Sequence, residues 1–219
     1  MDVDISDILA SVSAPAIPQR TLDLQALTRA WINERSSPEL LPYPTALIER
    51  CTNAVKSQIE IIEDMSGAMD PASNFTLVIL QTELERVKFL LRSFLRARIA
   101  KIDKYPIHYR DHPGSEDQPT LSPLESRYLE SHSALLSSHY HSSFLSQFPT
   151  QLQKLDDTGG GISMVDKPDE DTAVFCRVLR DGYALRPVDD DIELKRGDVW
   201  VLRWSAVKES VRKGDVELI

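Results

Sequence analysis

The sequence predicts an α+β, multidomain protein in which an N-terminal helical bundle domain precedes a small β-rich domain. Long helical patterns fill the chain up to about residue 150, the run Gly159-Gly160-Gly161 follows, and short β-type runs fill the remainder. Glycine runs favour flexible linkers. We therefore divide the 219 residues into an acidic arm (1–19), a helical domain (20–149), a linker (150–165) and a β-rich domain (166–219).

The arm carries a single apolar stripe. Ile5, Ile8 and Leu9 stand at i, i+3 and i+4, aspartates surround them at positions 2, 4 and 7, and no basic residue precedes Arg20. A helix of about two turns is marginal in water on its own. The arm is therefore predicted to be a short amphipathic segment, separate from the helical domain.

The helical domain begins with a predicted helix over residues 21–35, where Leu24, Leu27 and Trp31 repeat at helical spacing. The next segment, residues 36–44, contains three prolines. Proline lacks an amide donor and restricts the residue before it, so this segment cannot continue the helix. Its leucines and tyrosine predict that it packs against the domain.

A second helix is predicted from about residue 44 to residue 65. Its apolar residues repeat every three or four positions and form a narrow seam typical of a bundle; they are Ile48, Cys51, Val55, Ile59 and Ile62. Gly67 stands where a helix of this length would end.

The third predicted helix, over residues 71–104, is the strongest pattern in the chain. About thirty residues at 1.5 Å each span roughly 45 Å, which is long for a helix buried in a domain of this size. A helix that is apolar over much of its circumference needs cover on several sides. We therefore predict an interface with other subunits along this helix and the first one, at Trp31, Leu84, Val87, Leu91, Phe94 and Leu95.

The fourth helix has a well-defined start. After a polar loop over residues 106–120, Ser122-Pro123-Leu124-Glu125 forms a capping box with proline at the first helical position. The helix is predicted to run to about Phe148, because Pro149 follows.

The β-rich domain is predicted from runs of β-branched and aromatic residues between turn residues. The sequence predicts strands at 172–179, 183–187, 192–194, 198–204 and 216–219, with a short helix at 205–213 that ends at Gly214.

Charge and composition restrict the class of protein. The net charge is −9, which disfavours a phosphate backbone as the default partner. The two cysteines do not suggest a disulfide framework, no apolar run approaches the roughly 20 residues that a bilayer requires, and the acidic N-terminus does not resemble a signal peptide. We predict no membrane association and a cytosolic or nuclear location.

No group of residues in the sequence predicts catalysis, a metal or a cofactor. His139 and His141 are two apart on a predicted helix and so face different directions. Cys51 and Cys176 have no base near them in sequence and fit buried structural thiols. The glycine run lacks the Lys-Ser/Thr of a phosphate loop. A hydrolase using His139 or Cys176 is therefore a minor alternative.

A basic stripe runs along the third helix, with Lys88, Arg92 and Arg96 four residues apart. Residues 86–104 contain seven basic side chains and one acidic side chain, Asp103. The stripe fits a solvated face, or guanidinium groups paired with carboxylates inside the bundle. It also fits a contact with an acidic partner or with DNA, although few aromatic residues lie among the charges to stack on bases. The sequence leaves these interpretations open.

Several segments resemble a known family. Residues 31–44 (WINERSSPELLPYP) are similar to the N-terminal signature of Sld-five-type subunits of the eukaryotic GINS replication complex, in its fungal form. Residues 82–99 and 101–104 resemble that family's long helix, and 201–204 and 214–219 resemble its C-terminal pattern.

The resemblance implies a subunit without catalytic activity in a heterotetramer with three other GINS subunits (Psf one, two and three). It implies a nuclear scaffold within the replicative helicase, beside the Cdc-forty-five protein and the MCM ring, with DNA contacted indirectly. The alternative is a DNA-binding protein that uses the basic stripe.

The arm also resembles a family feature. Residues 4–9 are similar to the short helix by which fungal relatives dock on the trimeric adaptor Ctf-four. Helix-in-groove binding would place Ile5, Ile8 and Leu9 in an apolar groove, with Asp4 and Asp7 facing basic rims. Residues 10–13 depart from the pattern, because they lack its acidic ending.

Overall fold

The computed structural model describes residues 18–67, 74–112, 114–115, 118–156, 164–184 and 192–219, and every element named below lies in these ranges. A helical bundle comes first and a small antiparallel sheet with one helix follows, as the sequence predicts. The bundle helices are α1 (Gln19–Ser36), α2 (Thr45–Gly67), α3 (Asn74–Lys104), α4 (Pro106–Asp111) and α5 (Pro123–Ser143). No helix in the described part of the chain combines the length and apolarity that crossing a membrane would require.

The long helix α3 lies at the centre of the bundle, and α1 and α2 pack against it. Leu27 of α1, Ile48 and Cys51 of α2 and Phe94 of α3 form one buried cluster. Each of these side chains comes from an apolar position of a helical repeat. Removal of that repeat from water drives the three helices together.

A second cluster fixes the proline-rich segment between α1 and α2. Leu40 packs with Ile102 of α3, Tyr109 of α4, Leu129 of α5 and Leu121 of the loop before α5. The Tyr109 hydroxyl accepts a hydrogen bond from the Leu40 amide at 3.1 Å. The prediction that this segment breaks the helix and packs against the domain is confirmed.

The predicted loop over residues 106–120 is wrong in part. Pro106 begins α4, and strands β1 (Gly114–Ser115) and β2 (Gln118–Pro119) pair as a small hairpin. Proline breaks a helix interior but suits its first turn, where the amide would have no partner. The loop prediction rests on the helix-breaking effect alone.

The fourth predicted helix ends earlier than expected. The α5 helix stops at Ser143, and two single 3₁₀ turns follow at Leu145–Gln147 and Thr150–Leu152. The hydroxyls of Ser142 and Ser143 both donate to the His139 carbonyl, at 3.0 and 2.7 Å. Serine side chains compete in this way with backbone hydrogen bonds and weaken a helix near its end.

The β-rich domain contains a three-stranded antiparallel sheet in the order β6–β3–β7, with β3 (Ala173–Val178), β6 (Val199–Arg203) and β7 (Val216–Leu218). A separate hairpin pairs β4 (Gly182–Ala184) with β5 (Ile192–Leu194). Strands were predicted at 183–187 and 192–194, and residues 185–187 of the first lie outside the described residues. Alternate residues of β3 point inward and pack under α6 (Trp204–Lys213). Gly214 ends α6 with a φ of 78°, which a residue with a side chain adopts at a cost.

Candidate subunit interface on the long helix

The α3 helix has an inner stripe that faces the rest of the chain. Leu84, Leu91 and Arg98 recur every seven residues on this side, with Phe94 and Ile102 beside them. Leu84 is 7% exposed, Phe94 is 1% exposed and Arg98 is fully buried. A seven-residue repeat keeps one side of a helix directed at its neighbours. Here the neighbours are α1, α2 and the start of α5.

The inner stripe corrects part of the predicted interface. Leu84 and Phe94 were predicted to contact another subunit, but they are buried in the core of this chain. Val87, Leu91 and Leu95 are partly buried. Trp31 is also partly buried and meets Phe89 edge-on, with ring centroids 6.4 Å apart. Apolar periodicity indicates which side of a helix is buried, but not which part of the protein buries it. For these residues, α1 and α2 bury much of that side.

An outer stripe lies on the opposite side of α3. Phe75 is 76% exposed, Val78 and Phe89 are each 59% exposed, and Ile79 is 44% exposed. Phe75 and Phe89 are two heptads apart, and Val78 precedes Arg92 by the same interval. Large apolar groups repeated along one exposed face are typical of a contact surface for another helix.

Two depressions border the N-terminal half of α3. One, of about 630 Å³, follows the outer stripe past Val78, Glu85 and Phe89. The other, of about 430 Å³, lies between α1, α2 and α3 and is lined mainly by apolar side chains, among them Leu24, Val55, Leu80, Val87 and Leu90. The exposed end of the bundle is therefore grooved as well as apolar, and a partner's side chains could enter it.

The basic stripe divides into two sets, of which the first is on the surface. The Lys88 ammonium lies 2.9 Å from a Glu85 oxygen, and a guanidinium nitrogen of Arg92 lies 3.9 Å from the other oxygen. The hydrogen bond from Lys88 holds the pKa of Glu85 below its ordinary value. Arg96 is exposed and forms no ion pair with any residue the structure describes. Arg92 and Arg96 are therefore accessible to a partner.

Arg98 belongs to the second, buried set. Its guanidinium contacts Glu125 at 2.7 Å and Glu34 at 2.9 Å, and it also donates to the carbonyls of Leu41 and Thr120. Burial lowers the pKa of Arg98, but the hydrogen bonds and charges of Glu125 and Glu34 outweigh it, so the pKa is raised above its ordinary value. The cation therefore remains charged in the core, with both carboxylates beside it.

Lys101 completes this buried cluster. Its ammonium donates to Glu34 Oε1 at 2.7 Å, to the Ser37 hydroxyl at 2.8 Å and to the Glu39 carbonyl at 2.8 Å. Burial lowers the pKa of Lys101 and outweighs the attraction of Glu34. For Arg98 and Lys101, the interpretation as cations paired inside the bundle is confirmed.

The other candidate residues form no catalytic group in the structure. Cys51 and Cys176 are buried, and burial raises the pKa of both thiols, which disfavours the reactive thiolate. His139 and His141 are exposed on α5. The described residues contain no cluster of side chains that could hold a metal ion. The predicted adaptor-binding residues Asp4, Ile5, Asp7, Ile8 and Leu9 lie outside the described residues.

Comparison with known proteins identifies the family. Residues 54–144 match the family model described as the GINS complex protein helical bundle domain, and residues 168–219 match that of the DNA replication complex GINS protein SLD5 C-terminus. The chain belongs to the SLD5 family of GINS proteins. The first match runs from within α2 to the end of α5, the second covers the sheet domain, and the resemblance of this SLD5-family chain noted in the sequence is confirmed.

Whole-chain relatives agree with the family models. The SLD5 protein of Chaetomium globosum is 50% identical over 224 residues, which cover 99% of this chain and all of the relative. The Schizosaccharomyces pombe protein is 40% identical over 90% of this chain and 92% of its own length. The Saccharomyces cerevisiae protein is 32% identical over 90% of this chain and 80% of its own length. All three are named as DNA replication complex GINS proteins.

Proposed function

We propose that this SLD5-family chain acts in DNA replication as a non-catalytic scaffold subunit of a GINS heterotetramer with three other GINS subunits, Psf one, two and three. The observation that carries the proposal is the outer stripe of α3. This helix is already covered on its inner side by its own chain, yet it presents Phe75, Val78, Ile79 and Phe89 to solvent at the spacing of a helix–helix contact.

The energetics favour a permanent partner for this face. Burial of one large apolar side chain contributes roughly 1.5–3 kcal/mol. Permanent hetero-complexes bury large and markedly apolar interfaces, whereas monomers seldom expose large apolar patches. Phe75 and Phe89 alone would gain several kcal/mol by contact with a partner helix, a substantial share of the stability of a typical domain.

Co-expression with the three other subunits tests the proposal. The parent chain is expected to form a 1:1:1:1 complex, whereas Phe75→Ser with Phe89→Ser should reduce its yield at least tenfold because two apolar contacts are lost. Leu135→Ser is the matched control, since Leu135 is 66% exposed and belongs to α5, a different helix from the outer stripe. A parent chain that stays monomeric beside its partners, or a double variant that assembles normally, would contradict the proposal.

Family membership also supports the wider role. We propose that the assembled tetramer is nuclear and joins the Cdc-forty-five protein and the MCM ring in the replicative helicase. The N-terminal arm would dock a Ctf-four-type trimeric adaptor. Mixing the purified tetramer with Cdc-forty-five and the MCM ring should give one co-migrating assembly. A tetramer that assembles but joins neither protein would contradict the helicase role and leave the scaffold role intact.

A second candidate function is DNA binding by the exposed part of the basic stripe. Arg92 and Arg96 are accessible, which favours it, but Lys88 is held by Glu85, and the net charge of −9 opposes binding to a polyanion. Duplex binding that weakens with salt and disappears in Arg92→Glu with Arg96→Glu would support this function. Absence of binding at low salt would eliminate it.

A further inference from the structure

We infer that residues 29–41 act as a latch between the two domains, so that contacts, and not the linker over 150–165, set the orientation of the β-rich domain on the bundle. The latch consists of Arg29 and Asn33 on α1 together with Glu39 and Leu41 of the proline-rich segment. The inference concerns this chain alone and does not depend on the proposed function.

The first contact caps an open sheet edge. β7 is an edge strand, and the Ile219 amide directly after it donates to the Phe175 carbonyl of β3 at 3.1 Å. Backbone amides alternate in direction along a strand, so the Leu218 amide points away from the sheet. Asn33 Oδ1 accepts from this amide at 2.8 Å. A helix side chain thus takes the position of a neighbouring strand and protects an edge that could otherwise pair elsewhere.

Ion pairs between the domains surround this contact. The Arg29 guanidinium lies 2.7 Å from Glu217, whose other oxygen is 3.4 Å from Arg177 on β3. On the far side, Arg212 of α6 lies 3.1 Å from Glu39. An isolated exposed ion pair contributes little. The Glu217 and Glu39 side chains are only 17% and 15% exposed, whereas Arg29 and Arg212 are 53% and 35% exposed. The two ion pairs would therefore assist the Asn33 contact by opposing rotation of the sheet domain about it.

Leu41 connects the two cores directly. Its side chain packs against the buried cluster of the β-rich domain, while its carbonyl accepts a 2.8 Å hydrogen bond from the buried Arg98 of α3. Glu39 is held in the same way, since its carbonyl binds Lys101 and its carboxylate binds Arg212. One short segment is therefore anchored in the bundle through its backbone and in the sheet domain through its side chains.

These contacts explain what residues 31–44, the segment similar to the family signature, do in the fold. Glu34, Leu40 and Tyr43 pack or pair within the bundle, whereas Asn33 and Leu41 contact the sheet domain. A partner that binds the sheet domain would therefore meet a surface held at a fixed angle to α1. Loss of the latch would leave both domains folded but joined only through the linker.

Spin-label distance measurements on the full chain test the inference. Labels at Ser57→Cys on α2 and Val199→Cys on β6 sit at exposed positions in different domains, and the native Cys51 and Cys176 are buried. We expect one narrow distance distribution. Inserting about six Gly and Ser residues after Gly160 should leave it narrow. Arg29→Ala with Asn33→Ala and Leu41→Ala should broaden it at least twofold.

Asn53→Ala is the matched control, because Asn53 is an exposed helical asparagine on α2, a helix that carries none of the latch residues, and it should leave the distribution unchanged. A broad distribution in the parent chain, or broadening by the insertion equal to that of the triple variant, would overturn the inference.

Hydrogen exchange separates loss of the latch from unfolding. In Asn33→Ala, exchange of the Leu218 amide should rise at least tenfold, because the acceptor is gone. The Val178 amide, which donates to the Asp198 carbonyl inside the sheet domain, should keep its protection. Unchanged exchange at Leu218 would overturn the inference, and so would an equal rise at both amides.

Discussion

Arg98 and Glu125 join the longest helix of the chain to the first turn of α5. Arg98 Nε lies 2.7 Å from Glu125 Oε1, while Glu125 Oε2 accepts from the Ser122 amide at 2.8 Å. The Ser122 hydroxyl in turn accepts from the Glu125 amide at 3.2 Å. One carboxylate therefore completes a capping box and balances a buried cation, so local helix formation and tertiary packing depend on the same side chain.

Replacing Arg98 with methionine should destabilise the chain by about 3–5 kcal/mol, because Glu34 and Glu125 would remain buried without their cation. Urea unfolding of the parent and the variant measures the difference. Arg96→Met is the control, because Arg96 is exposed on the same helix and its loss should change stability by no more than about 0.5 kcal/mol. Equal midpoints for the two variants would show that the buried cluster does not stabilise the fold.

Loss of the capping serine should have a smaller effect. Ser122→Ala removes the acceptor for the Glu125 amide and should cost about 1 kcal/mol, within the usual range for a helix N-cap. Ser138→Ala, at an exposed position inside α5, should be neutral or slightly stabilising, because alanine is the better helix former. Thermal unfolding of both variants compares them, and a Ser122→Ala chain as stable as the parent would contradict the role assigned to the cap.

Tyr109 predicts a pH dependence of stability on the alkaline side. Burial raises the pKa of its phenol above the ordinary value of about 10, so the folded chain keeps a proton that the unfolded chain releases. The contribution of the Tyr109 phenol to the free energy of unfolding is complete below pH about 10 and is lost as the pH rises through the higher folded-state pKa. Tyr109→Phe should remove this slope.

At pH 8 the same variant should be less stable by about 1–3 kcal/mol, because the buried Leu40 amide loses its acceptor. The difference in unfolding free energy between the parent and the variant should narrow above pH 10. Urea midpoints from pH 8 to 11 measure it, and the opposite slope from Lys101 is present in both chains and cancels in the difference. A gap that stays constant over this range would contradict the assignment to Tyr109.

The N-terminal arm predicts a separable binding activity. Ile8→Ala with Leu9→Ala should reduce affinity for a Ctf-four-type adaptor at least tenfold, because two of three apolar anchors are lost, while tetramer assembly stays unchanged. Val3→Ala with Ile17→Ala is the control, since both residues stand outside the stripe formed by Ile5, Ile8 and Leu9. Titration of labelled tetramer with adaptor measures both variants, and equal affinities would refute this docking mode.

Local features of this chain could be predicted from sequence because each depends on neighbours along the chain. Residues within one or two turns set the capping box at Ser122 and Glu125 and the αL end of α6 at Gly214. The family could be recognised for a related reason, since its signature segments are continuous in sequence. The predicted loop is wrong at Pro106 because proline has opposite effects at the start and in the interior of a helix.

Only the tertiary structure decided which side of α3 packs against the rest of its own chain. By sequence periodicity alone, Leu84 and Phe94 cannot be distinguished from exposed apolar residues of α3, and Arg98 cannot be distinguished from Arg96. The structure buries the first three and leaves Arg96 in solvent. The same holds for Asn33, whose partner Leu218 is 185 residues away. A helical repeat specifies that a face is apolar or charged, but what that face meets depends on long-range packing, which repeats within one helix do not contain.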